Sequence, residues 1–209
     1  LAVADDITDT ATAAQLDAFE VALATLPDGP AIHAANSAAA LAHPRARYSF
    51  VRAGIAMYGI SPGHGVDHLC GDLRPSMSLR ARVSFVKRVE RGTRISYGLR
   101  HTFADATTVA TVPIGYADGV PRRLFETGGE VLVGGRRRPI VGVVTMDQLM
   151  VDVGDDAVAV GDEVVLIGEQ QGERVSAEEW ADRLGTIGYE VVCGVSRRIA
   201  RTPRRSISA

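Results

Sequence analysis

The hydrophobic pattern changes period once along this chain, in a Gly-, Pro- and His-rich stretch over residues 61–75. Before it, helical and strand-like segments alternate. Leu16, Phe19, Leu23 and Leu26 recur with helical spacing and form one apolar face. Thr12-Ala13-Ala14-Gln15 reads as a capping box at that helix's start, and Pro27-Asp28-Gly29-Pro30 as its stop. Residues 31–35 read as a short buried strand and 55–59 as another buried strand or strand-turn, with Asn36 or Ser37 capping an Ala-rich helix between them. That order implies a parallel sheet, such as the last units of an α/β barrel. After the stretch, short β runs follow one another at 79–89, 107–114, 129–133, 140–145, 149–153 and 163–167. Turns such as Gly134-Gly135 and Gly161-Asp162 separate them, which predicts a mostly antiparallel β domain. Ser176-Ala177-Glu178-Glu179 opens a helix carrying Trp180 and Leu184. The expected fold is therefore an α/β partial barrel over 1–65 followed by a mostly antiparallel β domain over 75–209. The basic tail, residues 197–205, is expected to be exposed.

Composition narrows the class. The 209 residues are 46% hydrophobic and 23% charged, as in an ordinary globular protein. A net charge of −2 gives no reason to expect nucleic acid or an anionic membrane as partner. No apolar run approaches the roughly 20 residues that span a bilayer. Asp5, Asp6 and Asp9 stand where a signal peptide would be basic, and Cys70 and Cys193 lack metal-like spacing. Free thiols in a reducing, cytoplasmic setting are expected, with no metal. His64 and His68 are four apart, but Pro62, Gly63 and Gly65 argue against a helix that would pair them. Nearly all basic residues are arginine; Lys87 is the only lysine. Leu1-Ala2-Val3-Ala4 reads like the end of a buried strand, so the chain is expected to be a piece of a longer polypeptide.

Several short constellations carry possible chemistry, each with two readings open. Tyr97, in Ile95-Ser96-Tyr97-Gly98, and Tyr116, in Gly115-Tyr116-Ala117-Asp118-Gly119, end apolar runs at glycine-containing bends. Such bends can hold a phenol off a sheet rim, where it donates or accepts hydrogen bonds or moves a proton; equally, both are ordinary rim tyrosines. His33-Ala34-Ala35-Asn36-Ser37 marks a strand-to-helix junction suited to phosphate, or a simple cap. Arg52 needs an acceptor at the end of its strand, and Gly54 permits close approach of a ligand; a structural ion pair is the other reading. Asp147, in Thr145-Met146-Asp147-Gln148, fixes a loop or orients a neighbour.

Taken together, these segments, with Val51-Arg52-Ala53-Gly54-Ile55-Ala56-Met57-Tyr58-Gly59, occur in the order and spacing of alanine racemases. The resemblance covers essentially the whole chain and corresponds to that family's C-terminal part. It implies an isomerase that interconverts L- and D-alanine, a peptidoglycan precursor, with pyridoxal 5′-phosphate as electron sink. It implies a cytoplasmic homodimer with each active site at the subunit interface. Inversion needs a base on each face of Cα: one is the cofactor-bearing lysine, the other a tyrosine that matches Tyr97. A phenol near its ordinary value of about 10 needs cationic or hydrogen-bonding neighbours to act near neutrality.

The resemblance also assigns Ser37, Gly54 and Ile55 to the cofactor phosphate, Arg52 to the pyridine nitrogen and His33 to the support of Arg52. Tyr116 and Met146 match substrate-pocket residues, Met146 through its backbone N–H to the alanine carboxylate. Arg197 stands where many members have a phosphate-contacting tyrosine, and Thr145 where some have cysteine. The cofactor lysine belongs to an earlier part of the barrel, and Lys87, in a β run, does not replace it. This chain alone is therefore expected to be inactive. Two alternatives stay open: a racemase for another small amino acid such as serine, and a non-catalytic β-domain dimerisation module.

Overall fold

The computed structural model describes residues 1–27 and 29–203. They divide into two units, 1–77 with 187–189 and 78–186 with 190 onward.

In the first unit, helix α1 spans Ala11–Leu23 and helix α2 spans Ser37–Ala42. The Thr12 capping box does not form. Thr12 is buried inside the first turn, the Asp9 carboxylate accepts the Ala11 N–H at 2.7 Å, and Gln15 accepts from Ala2. Of the apolar face only Leu16 is fully buried; Leu26 is exposed. The helix ends before its expected stop, whose Asp28 lies outside the described residues. Asn36 does cap α2, accepting the Ala39 N–H at 2.9 Å.

No strand is assigned in 1–77 among the described residues, so the strand expected at 31–35 is corrected and of the two readings of 55–59 the turn holds. Residues 55–58 form a 3-10 turn, Ile55–Tyr58. Residues 31–36 and 49–54 do run side by side: Ser49 N–H donates to Ile32 O at 3.0 Å and Arg52 N–H to Ala35 O at 2.9 Å. Both bonds advance three residues in the same direction, so the course is parallel without the two-residue repeat of a ladder. The packed centre uses small residues, Ala35, Ala38, Ala39 and Ala46, around Leu16 and Val66. Val66 sits in a 3-10 turn, His64–Leu69, where glycine and proline had argued against any helix.

The second unit is antiparallel throughout. In chain order its strands are β1 (Leu79–Arg82), β2 (Phe85–Val89), β3 (Arg94–Ile95), β4 (His101–Thr102) and β5 (Thr107–Val112). Next come β6 (Glu130–Val133), β7 (Arg136–Pro139), β8 (Leu149–Gly154), β9 (Glu163–Gln170) and β10 (Glu173–Val175). One sheet runs β1-β9-β6-β7 with β10 on β9, a second β2-β5-β8, and β3 pairs β4. The run at 79–89 is thus two strands that enter different sheets. The run at 140–145 is not a strand; it makes a single bridge, Ile140 to Val151. β8 alternates buried and half-buried residues, as a strand covered on one face does, whereas β9 is buried continuously from Val164 to Ile167. Gly134 and Gly135 form the two-residue β6–β7 turn, both with positive φ (61° and 75°), the geometry that matches strand twist.

Helix α3 (Ala177–Leu184) begins where expected: Ser176 Oγ accepts the Glu179 N–H at 3.1 Å. The Glu179 carboxylate does not reach back to complete a box. It binds Arg137 at 2.7 Å and Arg183 at 3.1 Å, and both arginines also bind Glu130, at 3.0 and 3.1 Å. This network ties α3 to β6 and β7 and explains why Arg136-Arg137-Arg138 is a strand. Its partner Glu179 lies 42 residues away, so the arginine run alone reads as a solvated turn. Helix α4 (Gly188–Gly194) follows. No helix among the described residues is long and apolar enough to cross a membrane.

The Arg137 guanidinium, and then that of Arg183, hold the Glu179 carboxyl below its ordinary value. A lowered carboxylate stabilises the fold above its unfolded value and loses that contribution as pH falls through the folded one. Glu179→Gln should therefore cost about 2 kcal/mol near neutrality, with the deficit shrinking as pH falls below the ordinary glutamate range. Urea unfolding followed by the fluorescence of Trp180, the single tryptophan, measures both. A deficit that stays constant with pH would contradict the ionic origin.

Candidate functional site

Three loops meet on one rim of the second unit. The first follows β3. Ser96 (φ 65°) and Leu99 (φ 50°) both occupy the left-handed region, a costly placement for side-chain-bearing residues. Two clamps hold them there. Ser96 Oγ donates to Val143 O at 2.8 Å, and Arg94 donates twice to Leu99 O, at 3.2 and 2.9 Å. Tyr97, between them, is 72% exposed, so the turn presents the phenol to solvent while fixing its backbone.

The second loop, 115–119, follows β5, and the third, 145–148, precedes β8. They share backbone hydrogen bonds: Tyr116 N–H to Thr145 O at 2.9 Å and Ala117 N–H to Met146 O at 3.0 Å. Gly115 permits this approach, since a Cβ there would lie 2.2 Å from Thr145 O and 2.5 Å from Met146 O. Tyr116 and Met146 both remain exposed. The Met146 N–H has no protein acceptor among the described residues. Since Ser96 holds Val143 O, the same segment also anchors the Tyr97 turn. Tyr97, Tyr116 and Met146, chosen from sequence, thus sit on loops joined by direct hydrogen bonds.

Two participants escaped the sequence reading. Asp118 is buried, and its Oδ2 accepts the Gly115 N–H at 2.9 Å. Arg198 places Nε 3.4 Å from Asp118 Oδ1 and donates from Nη2 to Asp147 Oδ1 at 2.7 Å. Asp147, and then Asp118, raise the Arg198 pKa above its ordinary value. Asp118 had a local signal, an acidic residue three positions after a glycine at a turn, but its arginine lies far along the chain. Arg197 is exposed and makes no hydrogen bond or ion pair among the described residues. The tail's last two expected positions, 204 and 205, lie outside them.

The remaining predicted residues gather in the first unit. Ser37 is buried, and its Oγ accepts the Gly54 N–H at 2.8 Å and the Ala56 N–H at 3.3 Å. Having filled its acceptor positions, that hydroxyl has its proton left to donate. Ile55 is buried beneath this turn, while Gly54 is open to solvent. Arg52 donates to His33 Nδ1, which fixes that nitrogen as the acceptor because guanidinium has none to offer. His33 packs against Phe50 with ring centroids 4.6 Å apart. The result is a buried hydroxyl with its proton unspent beside a solvent-open glycine turn, and near it in sequence an exposed, oriented cation. These features suit a phosphate and an aromatic nitrogen heterocycle, so the residues fit pyridoxal 5′-phosphate. No cluster of His, Cys, Asp or Glu among the described residues could hold a metal.

Comparison with known proteins fits this arrangement. Residues 1–62 match the family model for the alanine racemase N-terminal domain, and residues 76–203 that for its C-terminal domain. The alanine racemase of Symbiobacterium thermophilum is 52% identical over 96% of this chain and 54% of its own length. That of Thermobifida fusca is 46% identical over the same shares. Among solved structures, alanine racemase from Bacillus anthracis with bound L-Ala-P superposes with a TM-score of 0.87, at 40% identity, over 97% of this chain and 54% of that one. The enzyme from E. faecalis gives 0.87 at 39% identity, over 95% and 53%. The chain spans about half the length of these relatives, and over that half the agreement in sequence and fold is continuous: it belongs to the alanine racemase family.

Proposed function

We propose that this chain contributes one catalytic base, the substrate-carboxylate donor and the phosphate cradle to a pyridoxal 5′-phosphate-dependent racemase acting on alanine. The observation that carries this reading is the clamped, exposed Tyr97 turn, hydrogen-bonded to the segment that leads into Met146. The cofactor, when bound, supplies the electron sink that makes the alanine Cα proton removable. Residues 1–65 form the C-terminal part of the cofactor-binding barrel, and residues 75–209 the β domain. Ser37 would hold the phosphate by a hydrogen bond from its hydroxyl, with the Gly54-Ile55 turn beside it. Arg52, held by His33, would serve the ring nitrogen, where a permanent cation would disfavour protonation.

In the second unit, Tyr97 Oη takes or returns the Cα proton on one face. The base for the other face is the cofactor lysine, supplied outside this chain. The Met146 N–H binds the alanine carboxylate, and Tyr116 bounds the pocket beside Tyr97. The working form is a cytoplasmic homodimer in which the β domain of one subunit completes the barrel site of the other.

In the full-length enzyme, Tyr97→Phe should slow turnover by roughly a thousandfold while the cofactor absorbance is retained. Cα deuterium exchange should fall far more for one enantiomer than for the other; equally fast exchange from both would remove Tyr97 from the base position. Residues 1–209 purified alone and supplied with cofactor should form no D-alanine. Turnover by this chain alone would show that the second base lies within it.

A further inference from the structure

Arg198 reaches both the 115–119 and the 145–148 loop from outside them. It lies beyond α4, in a segment docked at two further points. Ser196 N–H donates to Asp118 O at 3.0 Å. At Gly119 the approach is so close that a Cβ would lie 2.5 Å from Gly194 O. From this base the guanidinium uses one edge, Nε and Nη2, to reach two carboxylates on different loops.

We propose that Arg198 is a positioning residue for substrate binding: by bridging Asp118 and Asp147 it clasps loop 115–119 to loop 145–148 and fixes the direction of the Met146 N–H. The inference rests on the functional reading above, in which that N–H meets the alanine carboxylate.

The two halves of the clasp differ in kind. Arg198 and Asp147 are each more than half exposed, and an isolated pair of that sort contributes little. Asp118 is only 8% exposed at its side chain and divides its oxygens, Oδ2 to the Gly115 N–H and Oδ1 to Arg198. Removing the cation leaves a buried carboxylate short of its counter-charge, with the 115–119 turn built on it. Asp147 is the residue next to Met146, so the exposed half of the clasp transmits position rather than stability. A lysine offers a point charge and cannot meet both carboxylates along one edge.

The test uses the full-length, cofactor-loaded protein with R198M, R198K, D147N and the R198M/D147N double variant. R198M should raise the KM for alanine about tenfold and change kcat by less than about threefold, because the misplaced group binds substrate and moves no proton. R198K should recover part of the loss, and the double variant should be no worse than R198M. In hydrogen–deuterium exchange, peptides covering 115–119 and 145–148 should exchange faster in R198M, with β5 and β8 unchanged. An unchanged KM, additive losses in the double variant, or loosening throughout the β2-β5-β8 sheet would overturn the positioning role. If R198M does not fold, R198K and D147N carry the same comparison. The exchange measurement needs no turnover. Unaltered exchange in both peptides sinks the clasp even in an active racemase, whereas a wild-type protein that leaves alanine unchanged sinks the functional reading itself.

Discussion

The missing side chain at Gly115 is the constraint on which the rim of the second unit depends. Any Cβ there would collide with the carbonyls of Thr145 and Met146. Without one, the loop leaving β5 and the loop entering β8 lie against each other and exchange backbone hydrogen bonds. β5 and β8 are adjacent in their sheet, with Val112 opposite Leu149, so the loops emerge side by side from a shared ladder. The sheet supplies the coarse placement and the glycine contact the fine one. Tyr116 and Met146 then inherit positions defined by main-chain bonds rather than by side-chain packing, as an exposed site requires.

Tyr97 is placed by a different means. Its turn holds two non-glycine residues at positive φ, each costing on the order of 1 kcal/mol or more. That strain persists because both ends are over-determined: Ser96 is bonded to Val143 O and Leu99 O is held twice by Arg94. Strain so offset suits a group whose backbone must stay fixed while its side chain faces outward. The first unit, taken by itself, shows the complementary economy. Its core is built of alanines, which let 31–36 and 49–54 approach closely enough for Ser37 to collect two amides from the turn after Arg52.

What was legible in the sequence follows from how local each signal is. β8 announces itself through period-two alternation, β5 through a β-branched run, and the Ser176 cap through a four-residue pattern. Tyr97, Tyr116, Met146, Ser37 and Arg52 stood out because each lies in a short motif. β7 was hidden because its arginines look solvated until Glu130 and Glu179 are brought to them. Residues 140–145 look like a strand but divide their backbone groups between β8 and the neighbouring loops. Val141 bonds Met150, Val143 bonds Ser96 and Thr145 bonds Gln148. Asp118 and Arg198 were invisible as a pair, since nothing in either segment points to the other.

The near-exclusive use of arginine gains a physical reason from these contacts. Arg94 doubles on one carbonyl, Arg137 and Arg183 share two glutamates, and Arg198 spans two aspartates. Each case needs two donors held in one plane, which guanidinium provides and an ammonium group does not. Rims and edge strands have little apolar surface to bury, so the hydrophobic effect that fixes β9 does not fix them. Planar, two-point ionic contacts substitute for it there, at low entropic cost for each bond formed. Lys87, exposed on β2, takes no part in these clamps.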